Sequence, residues 1–167
     1  MRSLPKLKHR PGDRSWMDCD KGYEEMMRGL PLRPARPGLW LKRLREGANE
    51  EALRTRPNSA RPLRLVTYAM LPVGTDPTAD LARVRSMLER QDYHVAHSLY
   101  DLHGDQNPQR RPHWQEARRL VQMGFADGVA VTDRYAISAH DRHYEREVRW
   151  FGEHAALLLL DRHEAAT

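Results

Sequence analysis

From residue 63 onward the chain alternates short β-prone runs with amphipathic stretches of helical length, and residues 155–160 form an uninterrupted apolar run. A run with no polar face belongs to a strand covered on both sides, as in parallel sheets. It is also far short of the roughly 18–20 apolar residues that cross a bilayer. Parallel neighbours need a long crossover between them, and each interval here supplies a helix. Residues 63–70 read as strand one, halted by Pro72 and Gly74. Thr75 or Asp76 caps a helix opened by Pro77, with Leu81, Val84 and Leu88 inside. Residues 94–100 form strand two, and residues 102–111 a polar loop. Pro112 opens a helix carrying Trp114, Ala117, Leu120, Val121 and Met123, closed by Gly124. Residues 128–132 are strand three. Asp141 caps a helix with Tyr144, Val148 and Phe151 inward, and residues 155–160 are strand four. The expected fold is an α/β three-layer sandwich on a mostly parallel four-stranded sheet, with right-handed crossovers.

The first third is different. Residues 1–62 hold 15 Lys and Arg against 8 Asp and Glu, and residues 63–167 hold 13 against 15, so the net charge of +5 divides as +7 and −2. Seven of the eleven prolines also precede residue 63, which places a boundary near residues 57–62. The division is a basic, Pro-rich arm, 1–62, followed by an α/β domain, 63–167. Arginine outnumbers lysine 24 to 4, a bias that a G- and C-rich genome produces as readily as phosphate binding does. Within the arm, Asp20 caps a short helix through Tyr23, Met26, Met27 and Leu30, and the prolines at 31, 34 and 37 favour an extended strap. Beyond them Leu39, Trp40, Leu41 and Leu44 interleave with Lys42, Arg43 and Arg45 as a basic amphipathic helix, with Asn49 capping a second short turn. So few turns cannot bury their own apolar residues. Met26, Met27, Trp40 and Leu44, flanked by Lys42 and Arg43, either pack on the domain behind them or dock on a macromolecular partner. The arm's partner is a protein complex or nucleic acid, and self-association is open as well.

The order and spacing of the elements resemble the N-terminal catalytic domain of serine recombinases, the resolvase and invertase family. The resemblance covers about residues 63–160. It rests on Tyr68-Ala69 ending strand one, Asp101 followed by Gly104, Arg111-Pro112 opening a helix, Asp127 before strand three, and Ile137-Ser138 before the fourth helix. It implies a resolvase-like fold and a site where a serine just past strand one attacks a DNA phosphate while arginines stabilise the charge. Where the family has Tyr-Ala-Arg-Val-Ser, this chain has Tyr68-Ala69-Met70-Leu71-Pro72. Proline has no attacking oxygen, and Met70 replaces an arginine. The family's Asp-Arg-Leu-Ser-Arg aligns on Tyr135-Ala136-Ile137-Ser138-Ala139. Sliding the register by two matches Asp133-Arg134 to the Asp-Arg pair but supplies no nucleophile. Arg111 alone of the catalytic arginines is matched. The expectation is a catalytically dead relative with no catalytic residues, and residues 1–167 hold no counterpart of the family's dimerisation helix and helix-turn-helix.

The remaining clusters are weaker. Arg110 and Arg111, with Arg118 and Arg119 one helical span on, gather in sequence near the carboxyl end of strand two, where α/β sheets place ligands, and Ser138 joins them as an anion-binding candidate. His140, His143 and Glu147 have metal-ligand spacing, but Arg142, Arg146 and Arg149 surround them, so no metal is expected. Neither is a cofactor. A single cysteine, Cys19, excludes a disulfide framework and an all-cysteine zinc site. With no apolar segment for export, a cytoplasmic location is expected. Three functions stand: a non-catalytic binding or regulatory module contacting its partner through the arm; a DNA-associated accessory factor binding phosphates without cleavage; and an enzyme of other chemistry using Ser138 and Asp101, for which the sequence shows no general base.

Overall fold

The computed structural model describes residues 36–57, 61–102 and 107–162, so the helix expected over residues 20–30, with Met26 and Met27, and the strap up to residue 35 lie outside the described residues. The elements run α1 (Pro37–Thr55), β1 (Arg64–Leu71), α2 (Thr78–Glu89), β2 (His94–Leu102), α3 (Pro112–Gln122), β3 (Gly128–Val131), α4 (Asp141–Glu153) and β4 (Leu157–Leu160). Single 3₁₀ turns sit at Pro108–Arg110 and Arg134–Ala136. The four strands form one sheet in the order β2-β1-β3-β4, and every pairing is parallel rather than mostly so. Tyr68 lies opposite Leu99 on one side and Val131 on the other.

Side-chain alternation along the strands builds two cores. On one face Leu65, Ala130 and Leu157 pack against Val84, Met87 and Leu88 of α2. On the other, Val66, Tyr68, Val129, Val131 and Leu158 meet Trp114, Ala117 and Leu120 of α3 and Tyr144, Val148 and Phe151 of α4. Burying each such large side chain contributes roughly 1.5–3 kcal/mol. Trp114 sits at the centre, its ring edge-on to Tyr68 at 4.9 Å and tilted against Phe151 at 6.0 Å.

The helix α1 belongs to this body. The compact unit begins at Ala35, not near residue 62, because Leu41 enters the larger core and Ala52 the smaller. Asn49 is not the cap of a second turn either. It lies within one continuous helix, donating from Nδ2 to the Leu158 carbonyl at 3.0 Å and accepting from the Leu158 amide at 2.9 Å. That side chain seals the outer edge of β4, which would otherwise expose unpaired backbone. β4 itself starts at Leu157, because Ala155 takes a positive φ of 49° to end α4.

At the amino-terminal end of the sheet, Asp127 fastens the segment before β1. Its carboxylate accepts from the Arg64 amide at 2.8 Å and from Arg61 at 2.8 and 3.1 Å, with Arg56 at 3.9 Å. Burial pushes its pKa up, but the Arg64 amide and the two arginines outweigh that and hold it below the usual aspartate value.

Candidate functional site

In an open parallel sheet the strand order reverses where successive crossovers leave on opposite sides, and ligands collect beyond the strands' carboxyl ends there. Here that point lies between β1 and β3. Asp101, near the end of β2, is buried and aims its carboxylate at the start of α3. One oxygen accepts from the Trp114 amide at 3.0 Å and from the Tyr68 hydroxyl at 2.9 Å. The other meets the His113 amide at 3.3 Å and His113 Nδ1 at 3.0 Å. A carboxylate on free helical amides is a favourable pairing with the helix dipole. It also means that Asp101, though eleven residues before Pro112, caps α3, a role that sequence inspection missed because the two segments are not contiguous.

Arg111 completes the cluster from the residue before α3. It is 1% exposed, and Nη1 donates to the Ala136 carbonyl at 2.7 Å. The Tyr68 hydroxyl lies between the Asp101 carboxylate and this guanidinium. Burial and the neighbouring Asp101 charge push that hydroxyl well above the ordinary tyrosine value, and Arg111 only partly offsets them. Tyr68 therefore stays protonated and donates, the opposite of what a nucleophile needs. The arrangement joins β1, β2, α3 and the turn after β3 under the surface. Its most exposed member is His113, whose Nδ1 is held by Asp101 and which the sequence reading did not single out.

The position just past β1 is an exposed turn. Pro72 accepts from the Thr75 amide at 3.1 Å, and the stretch before it is Met70-Leu71. Thr67 lies inside β1, and its hydroxyl donates to Ser98 Oγ at 2.8 Å on the sheet face opposite Tyr68. Ser138 is fully buried, and its Oγ accepts from the His140 amide at 3.1 Å, so it closes the turn leading into α4. Asp133 caps the 3₁₀ turn through the Tyr135 and Ala136 amides, and Arg134 pairs with Asp141 at 2.7 Å beneath Tyr144.

The four arginines expected to gather do not converge. Arg110 is exposed and Arg111 is buried. Arg118 and Arg119 lie two turns further along α3, about 10 Å away by helical rise. Arg119 is bound to Glu116 at 2.6 Å. Arg118 turns toward the fully buried Glu147 at 3.5 Å and lies over the Trp150 ring at 4.2 Å. Glu147 Oε2 also accepts from the Trp114 indole at 2.9 Å, which commits it to the packing of α4 on α3. His140 and His143 lie edge to face at 5.3 Å, and among the described residues no group of three or more His, Cys, Asp or Glu is placed to hold a metal. Trp40 and Leu44 pack against the larger core, with Arg149 5.9 Å over the Trp40 ring, so the structure gives them the intramolecular role. Lys42 faces Glu46 at 3.8 Å, and Arg43 is exposed.

A four-stranded all-parallel sheet in this order, with helices on both faces, matches the fold of serine recombinase catalytic domains. The chain is similar to the N-terminal catalytic domain of TP901-1 integrase, with a TM-score of 0.55 and 16% identity over 60% of this chain and 78% of that one. It is similar as well to the C-terminal catalytic domain of ISC1926 TnpA, an IS607-like serine recombinase, with a TM-score of 0.53 and 16% identity over 60% of this chain and 70% of that one. At this identity the likeness is one of fold. No family model and no curated protein matches the sequence. No helix among the described residues is long and apolar enough to cross a membrane.

Proposed function

We propose that this chain is a recombinase-fold module that binds a macromolecular partner through the segment preceding α1 and does not cleave DNA. One observation carries the reading: the polypeptide leaves β1 through Met70-Leu71-Pro72, and the single arginine matched to the family's catalytic set, Arg111, is buried and bonded to Ala136 and its neighbours. A guanidinium so enclosed lies against the Tyr68 hydroxyl and braces the turn after β3. It is not presented to a phosphate. Without an attacking hydroxyl at the strand end, a phosphoryl-transfer site loses its first chemical step, and positioning alone does not replace it. The buried Tyr68-Asp101-Arg111 cluster is then a structural remainder that fixes β1, β2 and α3 relative to one another.

The partner reading is supported by where charge is spent. Arg56 and Arg61 are turned to Asp127, and Arg64 donates to the Gly124 carbonyl at 3.0 Å. Residues 1–35 carry eight Lys and Arg against five Asp and Glu. Tagged full-length chain, compared with residues 36–167 in a pull-down, tests the assignment. The partner is expected to be lost with the first 35 residues, and its retention refutes the arm's role. The cut is placed at 36 because α1 is part of the body.

A second reading, an accessory factor that holds DNA through phosphates, is favoured by exposed arginines such as Arg110, Arg142 and Arg43. It requires weak DNA affinity that falls steeply with salt, as counterion release dictates, and absence of binding at low salt ends it.

A further inference from the structure

We propose that the cleft at the amino-terminal end of the sheet is a binding site for a small amphipathic monoanion, a carboxylate carrying an unbranched apolar chain. The cleft lies at the opposite end from the Asp101 cluster, between the last turn of α1, the segment leading into β1 and the start of β4. Its volume is about 320 Å³. At the roughly 30 Å³ that a water-sized group occupies in a condensed phase, it holds about ten non-hydrogen atoms.

The walls are mostly apolar, as in sites that take small organic molecules. Ala52 and Leu53 of α1 line the cleft together with Leu63, Ala155 and Leu157. Leu63 and Leu157 are 9% and 2% exposed, whereas Leu53 is 46% exposed, so a buried floor meets an open rim. A hydrocarbon chain lying there removes Leu53 from water, which favours a ligand with an apolar body over an inorganic ion.

Charge selects the head group. Two guanidinium groups, Arg56 and Arg61, line the cleft against one carboxylate, Asp127, an excess of one positive charge. Asp127 is held ionised and is already engaged. Arg61 donates to both of its oxygens at 2.8 and 3.1 Å, and the Arg64 amide to one of them at 2.8 Å. Arg56 stands 3.9 Å from that carboxylate, beyond hydrogen-bond reach. Among the described residues its one hydrogen bond runs from Nη2 to the Arg61 carbonyl at 2.9 Å, which leaves its other N–H groups available to a ligand. A carboxylate head answers the excess charge through charge-assisted hydrogen bonds while its tail covers the apolar floor. A cationic head is repelled by Arg56, and a neutral one leaves the excess charge unanswered.

Isothermal titration calorimetry of the full chain with sodium octanoate, whose size matches the cleft, tests the site, with octanol and octylammonium as comparisons, all below their aggregation concentrations. Saturable binding of octanoate with a Kd of about 1 mM or below is expected, with none of octylammonium. Arg56→Gln is expected to weaken octanoate binding by about tenfold or more while the far-ultraviolet circular dichroism is unchanged. In the unsubstituted chain octanoate is expected to shift the methyl resonances of Leu53, Leu63 and Leu157, which reports the location even if the Arg56 variant misfolds. Absence of saturable binding, octanol binding as tightly as octanoate, a folded Arg56→Gln chain that binds unchanged, or shifts that leave these leucines unmoved overturns the proposal.

Discussion

Two residues show how closely this backbone is tuned. The helices α3 and α4 end in the same device, in which the amide of a residue of positive φ and the amide that follows it both return to the last turn. In α3 that residue is Gly124, at φ 77°, with the Phe125 amide donating to the Leu120 carbonyl at 2.9 Å. In α4 it is Ala155, at φ 49°, with the Ala156 amide donating to the Phe151 carbonyl at 2.9 Å. A β-carbon in this conformation is strained, so Ala155→Gly is expected to stabilise the protein by about 0.5–1 kcal/mol in urea unfolding. The reverse holds at Gly128, where an added β-carbon would lie 2.2 Å from the Leu157 carbonyl oxygen. Gly128→Ala is expected to cost about 1–3 kcal/mol by forcing β3 from β4. Asp127 sets a pH dependence. Its pKa is lowered in the fold, so the stability it contributes is complete above the unfolded aspartate value and is lost as pH falls through the folded one. Asp127→Asn is expected to flatten the acid limb of a stability–pH curve, and an unchanged limb would remove Asp127 from that role.

Among the elements, α1 is the one whose place in the molecule matters most. Asn49→Ala leaves the Leu158 amide and carbonyl at the β4 edge without their partner, with an expected loss of about 1–3 kcal/mol and more aggregation at raised temperature, measured by denaturation and light scattering. The inner faces of α2, α3 and α4 and the strand positions were legible because their signals are local: apolar spacing, Pro112 at the first turn of α3, Gly124 past its end. The Asn49 contact spans 109 residues of sequence, and no local pattern announces it. For the same reason Pro-rich, basic composition assigned α1 to an arm, while the apolar positions Leu41 and Ala52 in fact fill the two cores. Asp101 was visible as a residue after strand two, but its cap on α3 depends on how the loop returns.

At the scale of the whole molecule, the carboxyl end of a parallel sheet holds a carboxylate, a tyrosine and an arginine that satisfy one another. Sequence suggested Arg111 for this end of the sheet but could not show that it is buried, since burial is decided by the turn carrying Ala136 and by the packing of Trp114. The expected gathering of Arg110, Arg118 and Arg119 fails on simple geometry, as two helical turns separate them and Glu116 and Glu147 engage two. Among the described residues, Arg61, Arg118, Arg119 and Arg134 are each answered by a carboxylate of the same body. The direct test is to incubate the full-length protein with supercoiled plasmid and quench with denaturant, then score nicked circles by electrophoresis and covalent protein–DNA adducts by mass spectrometry. Intact supercoiled DNA with no adduct is the predicted result; a phosphoserine-linked or phosphotyrosine-linked adduct, above all one abolished by Ser138→Ala, would contradict it.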